Sequence, residues 1–265
     1  MKAQEIAEIF AEWNQTALKS YLIEITADIL NKIDPETSQP LVEVILDEAQ
    51  QKGTGKWTSQ NALDIGAPVP TINAALEGRI ISALKSERVI AAQQLKRVPI
   101  SFQGNRDAFV RAARDALYIG KILSYAQGFG MLKMASKEYR YDLHPGEIAR
   151  IWRAGCIIRA SLLNDIGTAY QRNPDLVNLM LDDHFHSEIE RHQEGLRIVV
   201  RQAVFFGIPV PAMSASLAYY DAYRSERLPA NLTQAPRDYF GAHTYRRTDR
   251  AGSFHTDWTS HDKKE

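Results

Sequence analysis

The stretch richest in chemical potential is Lys52-Gly53-Thr54-Gly55-Lys56-Trp57. Two glycines two apart let a backbone turn tightly and bring its amide N–H groups towards a ligand, and two lysines supply charge suited to a phosphate or carboxylate. A P-loop is excluded: that motif needs glycine five residues ahead of its Gly-Lys pair and Ser or Thr after the lysine, and those places hold Gln50 and Trp57. The stretch reads either as an anion cradle or as a Gly-rich connector between helices with solvated lysines.

Other reactive residues offer less. The seven histidines, His144, His184, His186, His192, His243, His255 and His261, form no His-Glu-x-x-His pattern. His184, His186 and His192 cluster, but their spacing does not put three ligands on one helical face, so no metal is expected. Cys156 is the only cysteine, which excludes an internal disulfide and a thiolate cage; it sits in an apolar run that predicts a buried, inert thiol in mid-helix. Gly128-Phe129-Gly130 lacks a third glycine at the required place and follows no strand, so it is not a dinucleotide fingerprint. What remains is Lys52, Thr54, Arg79, Arg237 and His243, a set suited to a phosphorylated small molecule.

The background charge does not supply such a site. Lys+Arg and Asp+Glu both total 32 in 265 residues, so no global field attracts nucleic acid and any anion site must be built locally. The N-terminus is amphipathic and acidic where a signal peptide would be apolar, and no run approaches a membrane span. A soluble, cytoplasmic protein is the expectation.

Helices must position the candidates. Ile6, Ile9, Phe10, Trp13, Ala17, Tyr21, Ile25 and Ile29 predict one helix ending before Asp34-Pro35. A short helix over 41–49 follows, then a loop over Lys52–Trp57, a helical turn over 58–63, and a breaker at Gly66 and Pro68-Val69-Pro70. Thr71–Leu95 resumes as a helix, with Leu76, Ile80, Leu84 and Val89 as its apolar face. Arg106–Tyr139 contains no proline and keeps helical spacing throughout, which predicts a long helix buried on several sides. Glu147–Tyr170 reads as a second long helix stopped by Asn173-Pro174, with further helices near 175–182, 185–206 and 212–226. No hairpin dipeptide lies between alternating apolar residues, so the class is all-α.

Two features add organisation. Gly66-Ala67-Pro68-Val69-Pro70 through Leu76 echoes Gly207-Ile208-Pro209-Val210-Pro211 through Leu217, and Ser-Glu-Arg follows in both copies, which points to an internal duplication, the alternative being similar breakers that arise independently wherever helices meet. After the helical part, 1–228, the segment 229–265 changes character. Its run Arg237-Asp238-Tyr239-Phe240-Gly241-Ala242-His243-Thr244-Tyr245 lacks helical periodicity and reads as an ordered, irregular tail, with Phe254 and Trp258 needing burial and Ser260–Glu265 frayed.

These strings carry a resemblance. KGTGKWT, the PVP turn, SYAQGF at Ser124–Phe129, RAGCIIR at Arg153–Arg159, DAYR near Tyr223, and RDYFGAHTY followed by FHTDW resemble the C-terminal region of decarboxylating 6-phosphogluconate dehydrogenases, from about Ile6 to Trp258. The resemblance implies an all-helical domain with an internal duplication and a homodimer whose tail threads into the partner subunit. It implies further that Lys52, with Thr54 as neighbour, and Arg79 contact the sugar phosphate, that Arg237 is a second phosphate arginine, and that His243 contacts the sugar acid, the last two delivered from the partner. One departure is Pro236, where the family usually has glutamine; it should bend the approach to Arg237 while leaving its side chain available.

The family's NADP-binding Rossmann domain and its lysine base and glutamate acid find no counterpart in this chain. The expectation is therefore a substrate-binding and dimer-forming part of an NADP-dependent enzyme acting on 6-phosphogluconate, inactive alone and served by a separate nucleotide-binding domain. A non-enzymatic helical scaffold or sugar-phosphate binder is the alternative.

Overall fold

The structure, a computed structural model, describes residues 1–49, 52–96 and 100–259. Among them the regular elements are α1 (Ala3–Trp13), α2 (Tyr21–Asn31), α3 (Leu41–Val44), α4 (Thr54–Asp64), α5 (Pro70–Ser82), α6 (Lys85–Gln94), α7 (Arg106–Tyr139), α8 (Pro145–Ile151), α9 (Leu162–Arg172), a 3-10 turn (Leu179–Leu181), α10 (Asp183–Phe206), α11 (Pro211–Tyr223) and α12 (Ala230–Gly241). Only isolated β-bridges accompany them, so the described residues are all-α. The chain divides into two compact units, Met1–Tyr219 and a smaller one starting at Tyr220.

The first unit is built on α7. Asn105 caps its start by accepting the Ala108 N–H at 2.9 Å, and Arg140 ends it in the left-handed region. Ala112, Ala116, Ile119, Ile122, Leu123, Ala126 and Phe129 are all buried, so the helix is covered on several sides, as its small residues suggest. Its main partner is α10. The two approach at Gly195, where a Cβ would lie 2.6 Å from Asp115 Cβ and 2.8 Å from the Ala112 carbonyl oxygen. Only glycine fits that crossing.

A buried polar bridge joins α7 to the duplicated pair. Gln127 is 1 % exposed; its Oε1 accepts the Thr71 N–H at 2.9 Å and its Nε2 donates to Thr71 Oγ1 at 2.8 Å. Thr71 Oγ1 in turn lies 2.8 Å from Ser216 Oγ on α11. One amide thus satisfies an otherwise orphaned donor in the first turn of α5 and ties three helices together.

The echoed segments share their hydrogen bonding. Gly66 and Gly207 both take positive φ, +71° and +63°. In each copy the glycine N–H bonds three residues back, to Leu63 or Val204, and the next N–H bonds five back, from Ala67 to Ala62 and from Ile208 to Ala203. This is a glycine-closed helix end, and Pro70 and Pro211 then open helices of 13 residues each.

Several sequence expectations are corrected. The first predicted helix is two, because the chain turns after Trp13: Asn14 Oδ1 accepts the Ser20 N–H at 2.9 Å and Thr16 Oγ1 donates to the Trp13 carbonyl at 2.6 Å. The helix over 41–49 is a single turn, α3. The predicted helix Thr71–Leu95 breaks at Ala83 and Leu84, and Ile80, Leu84 and Val89 are about half exposed instead of forming a buried face. Glu147–Tyr170 is interrupted between α8 and α9, where Gly155 has φ +66°, so Cys156 lies in a non-helical, half-buried segment. The tail contains a helix, α12, that accommodates Pro236 in its interior, and Arg237 stands on that helix. The predicted frayed end, Ser260–Glu265, lies outside the described residues, as does His261.

Candidate functional site

Of the loop expected over Lys52–Trp57, Lys52 and Gly53 precede the helix, whereas Thr54 onward is helical. Gly53, at φ +108° and ψ −33°, is the N-cap of α4, and Thr54, Gly55, Lys56 and Trp57 form its first turn. No side chain caps this end. The first helical bond runs from the Trp57 N–H to the Gly53 carbonyl at 2.9 Å. What this end offers an anion is a helix N-terminus, with its free-pointing N–H groups, and the lysines on either side, Lys52 and Lys56. The Trp57 ring lies against Gly53, at ordinary contact distance from where a Cβ would be.

Gly55 fixes where this turn rests. A Cβ there would be 3.3 Å from Leu76 Cδ1, so α4 packs its first turn directly on α5. Arg79 follows Leu76 by three residues, hence on the same side of α5. Lys52, Thr54 and Arg79 are all exposed, and this contact brings the helix start that carries two of them beside the turn that carries the third. Arg88 is different: its guanidinium bonds Asp47 Oδ2 at 2.9 Å and the Ser82 carbonyl at 3.2 Å, a structural tie between the α3–α4 segment and α6. Lys85 and Arg88 together hold the Asp47 carboxyl down at about 2.

Arg237 and His243 belong to the second unit and are exposed there. Between them, Asp238 is 0 % exposed and accepts four N–H groups. Its Oδ1 takes the Thr244 amide at 2.9 Å and His255 Nδ1 at 3.0 Å; its Oδ2 takes the Thr256 amide at 3.0 Å and the Trp258 indole at 2.9 Å. Burial alone would raise this carboxyl, but the donors from His255, Thr256 and Trp258 outweigh it and hold it at about 2. Gln234, one turn earlier, donates from Nε2 to the Thr244 carbonyl at 2.6 Å. Ala242 and Thr244 both have positive φ, +47° and +58°, on either side of His243. For a β-branched residue such as Thr244 that backbone costs roughly 1–3 kcal/mol.

A family model for the C-terminal domain of 6-phosphogluconate dehydrogenase matches residues 1–258. The chain belongs to this family. It is 56% identical over 259 residues to the NADP(+)-dependent, decarboxylating 6-phosphogluconate dehydrogenase of Bacillus subtilis, covering 97% of this chain and 55% of that one. The decarboxylating enzyme of Synechococcus elongatus is 56% identical over 262 residues, with the same coverage. Among solved structures, Plasmodium falciparum 6-phosphogluconate dehydrogenase, described in apo form and in complexes with NADP+ and with 6-phosphogluconate, superposes with a TM-score of 0.95 at 48% identity, over 97% of this chain and 56% of that one. The chain spans about half the length of the relatives it matches.

The family's cofactor can be tested against the described residues. Gly128 and Gly130 lie in the interior of α7, with helical backbone on both sides, and offer no dinucleotide cradle. No group of three or more His, Cys, Asp or Glu side chains there could hold a metal ion. His192, one of the clustered histidines, instead packs between Asp115, at 3.2 Å, and Glu188, at 3.9 Å. No helix among the described residues is long and apolar enough to cross a membrane.

Sequence reading missed Asp238, Gln234 and Thr244 in this 6-phosphogluconate dehydrogenase domain. The only available signal was an acidic residue inside the RDYFGAH string, and nothing local distinguishes a buried carboxylate from a solvated one.

Proposed function

We propose that this chain is the substrate-binding and dimer-forming part of an NADP-dependent enzyme that oxidatively decarboxylates 6-phosphogluconate to ribulose 5-phosphate and CO2. The observation that carries the reading is the seating of the uncapped α4 N-terminus on α5 at Gly55 and Leu76, in a family whose named relatives act on this substrate. That contact supports assigning Lys52, Thr54 and Arg79 to one anion. A dianionic phosphate is matched by a guanidinium, an ammonium and helix N–H groups through charge-assisted bonds. Arg237 and His243 are assigned to the same ligand from the tail of a partner subunit, Arg237 on the phosphate and His243 on the sugar acid. NADP supplies the hydride acceptor of the reaction, and nothing among the described residues here is assigned to hold it.

Exposed apolar surface supports assembly into a homodimer. Leu95, Val204 and Phe240 are 77, 72 and 73 % exposed. A groove of about 860 Å³ in the first unit is lined by Ile81, Leu95, Val204 and Ile208. Apolar patches of this kind mark interaction sites more often than bare solvent-facing surface. The tail is less needy than its sequence suggests: Tyr245 packs on both Phe254 and Trp258, with ring centroids 6.3 and 6.4 Å away, and Phe240 stays largely exposed with its ring edge-on to His243.

Calorimetric titration with 6-phosphogluconate, with gluconate as the phosphate-free control, tests the assignment. Binding in the high micromolar to millimolar range is expected, weakened about tenfold, or ~1.4 kcal/mol, by Lys52→Ala, Arg79→Ala or Arg237→Ala and untouched by Arg88→Ala, whose guanidinium is tied to Asp47 and Ser82. Equal binding of the two ligands would sink the phosphate assignment. Light scattering at micromolar concentration should give a dimer, and a monomer would remove the assembly half of the proposal.

A further inference from the structure

We propose that Thr244, held by Asp238 and Gln234, is a positioning residue that fixes the His243 ring for an anionic sugar acid. This rests on the assignment of His243 to the ligand made above. Three hydrogen bonds converge on Thr244: its N–H reaches Asp238 Oδ1 at 2.9 Å, its carbonyl accepts from Gln234 Nε2 at 2.6 Å, and its Oγ1 accepts from Ser253 Oγ at 2.9 Å. Gln234 and Asp238 are four residues apart on α12, so one helix face grips both sides of a single residue's backbone.

The backbone held this way is one that threonine avoids. Ending α12 requires a single left-handed residue, and Ala242 provides it, its N–H bonding the Asp238 carbonyl at 2.9 Å. A second left-handed residue two positions later adds nothing to that termination. It belongs instead to the turn that folds the His243 ring back over the helix end. His243 Nε2 lies 2.8 Å from where a Gly241 Cβ would be, so the ring occupies space that glycine alone leaves open. A strained residue over-determined by its surroundings, directly beside an exposed imidazole assigned to a ligand, is the pattern of a preorganised contact.

Thr244→Gly separates positioning from plain structure. Glycine adopts positive φ without cost, so a merely structural turn would tolerate the change with the melting temperature unchanged or raised and ligand binding unaltered. Positioning instead leaves melting unchanged or raised while weakening 6-phosphogluconate binding about tenfold, and it splits or broadens the single set of His243 ring signals expected in a long-range ¹H–¹⁵N spectrum of the wild-type chain. Asp238→Asn, which replaces one acceptor oxygen by a donor, should do the same to the His243 signals. A single, unshifted set of His243 signals in Thr244→Gly overturns the proposal. If the wild-type chain binds no 6-phosphogluconate but the His243 signals still split, the ligand assignment falls and the positioning of the ring stands.

Discussion

The indole N–H of Trp258 donates to the buried carboxylate of Asp238 at 2.9 Å, across twenty residues of chain. That bond, with those from Thr244, Thr256 and His255, closes the second unit around one acid on α12. A segment rich in aromatics and arginines thereby acquires a fixed shape without a large apolar core of its own.

Asp238→Ala should loosen that unit selectively. Four donors lose their acceptor, so Trp258 emission should shift to the red and protease should cut after Tyr239 or Phe240, while the melting of the first unit stays in place. An unshifted Trp258 spectrum would mean the tail is held by something else.

The same carboxylate gives a pH dependence whose sign is fixed. Its folded value, about 2, lies below the ordinary 3.8, so the unfolded tail binds more protons in between. The stabilisation is complete above roughly pH 4 and drains away as pH falls towards 2. A Trp258 fluorescence titration should show this acid step in the wild type and lose it in Asp238→Asn.

Gln127→Met should cost about 1–3 kcal/mol, because it leaves the buried Thr71 N–H without its acceptor while keeping the side-chain volume. Urea unfolding of the first unit measures it. A neutral result would show that water replaces the amide.

Two glycines in one helix pair should behave oppositely. Gly195→Ala drives a Cβ into the backbone of α7 and should cost about 1–3 kcal/mol or more, whereas Gly120→Ala meets nothing within 4 Å and should be neutral or stabilising by roughly 0.5–1 kcal/mol. Similar melting temperatures for both variants would contradict the tight α7–α10 crossing.

Lys121 lines an apolar cavity of about 490 Å³ with Leu22, Leu117, Phe129 and Met213, and burial pushes its ammonium down to about 8. Because the folded form sheds its proton before the unfolded form does, stability should rise between about pH 8 and 10.5. Lys121→Met should flatten that rise and stabilise the chain at neutral pH, on the order of 1 kcal/mol, about the worth of one pKa unit.

Long-range order explains what was legible. The bounds of α7 could be read directly, since thirty-four proline-free residues with small side chains leave few alternatives and Asn105 marks the start. The breaks after Trp13, at Ala83 and around Gly155 were not legible, because helical spacing continues across them; after Trp13 the turn is fixed by long-range bonds such as the Tyr21 N–H to the Arg159 carbonyl at 3.1 Å. Pro236 and the irregular spacing hid α12. At the site, residue types pointed to Lys52, Arg79 and Arg237, but the glycine contact that seats α4 on α5 and the acid that gathers the tail depend on neighbours distant in sequence.

The matched helix ends at Gly66 and Gly207 set the two copies in register. Carrying the register of one copy onto the other sets Arg79 opposite Tyr220 and Lys52 opposite Gln193. The repeat therefore shares its joints but not its charges: the cationic pair stands in one copy, and the matching places of the other carry a phenol and an amide, so a single pair of glycine-closed corners presents two different surface chemistries.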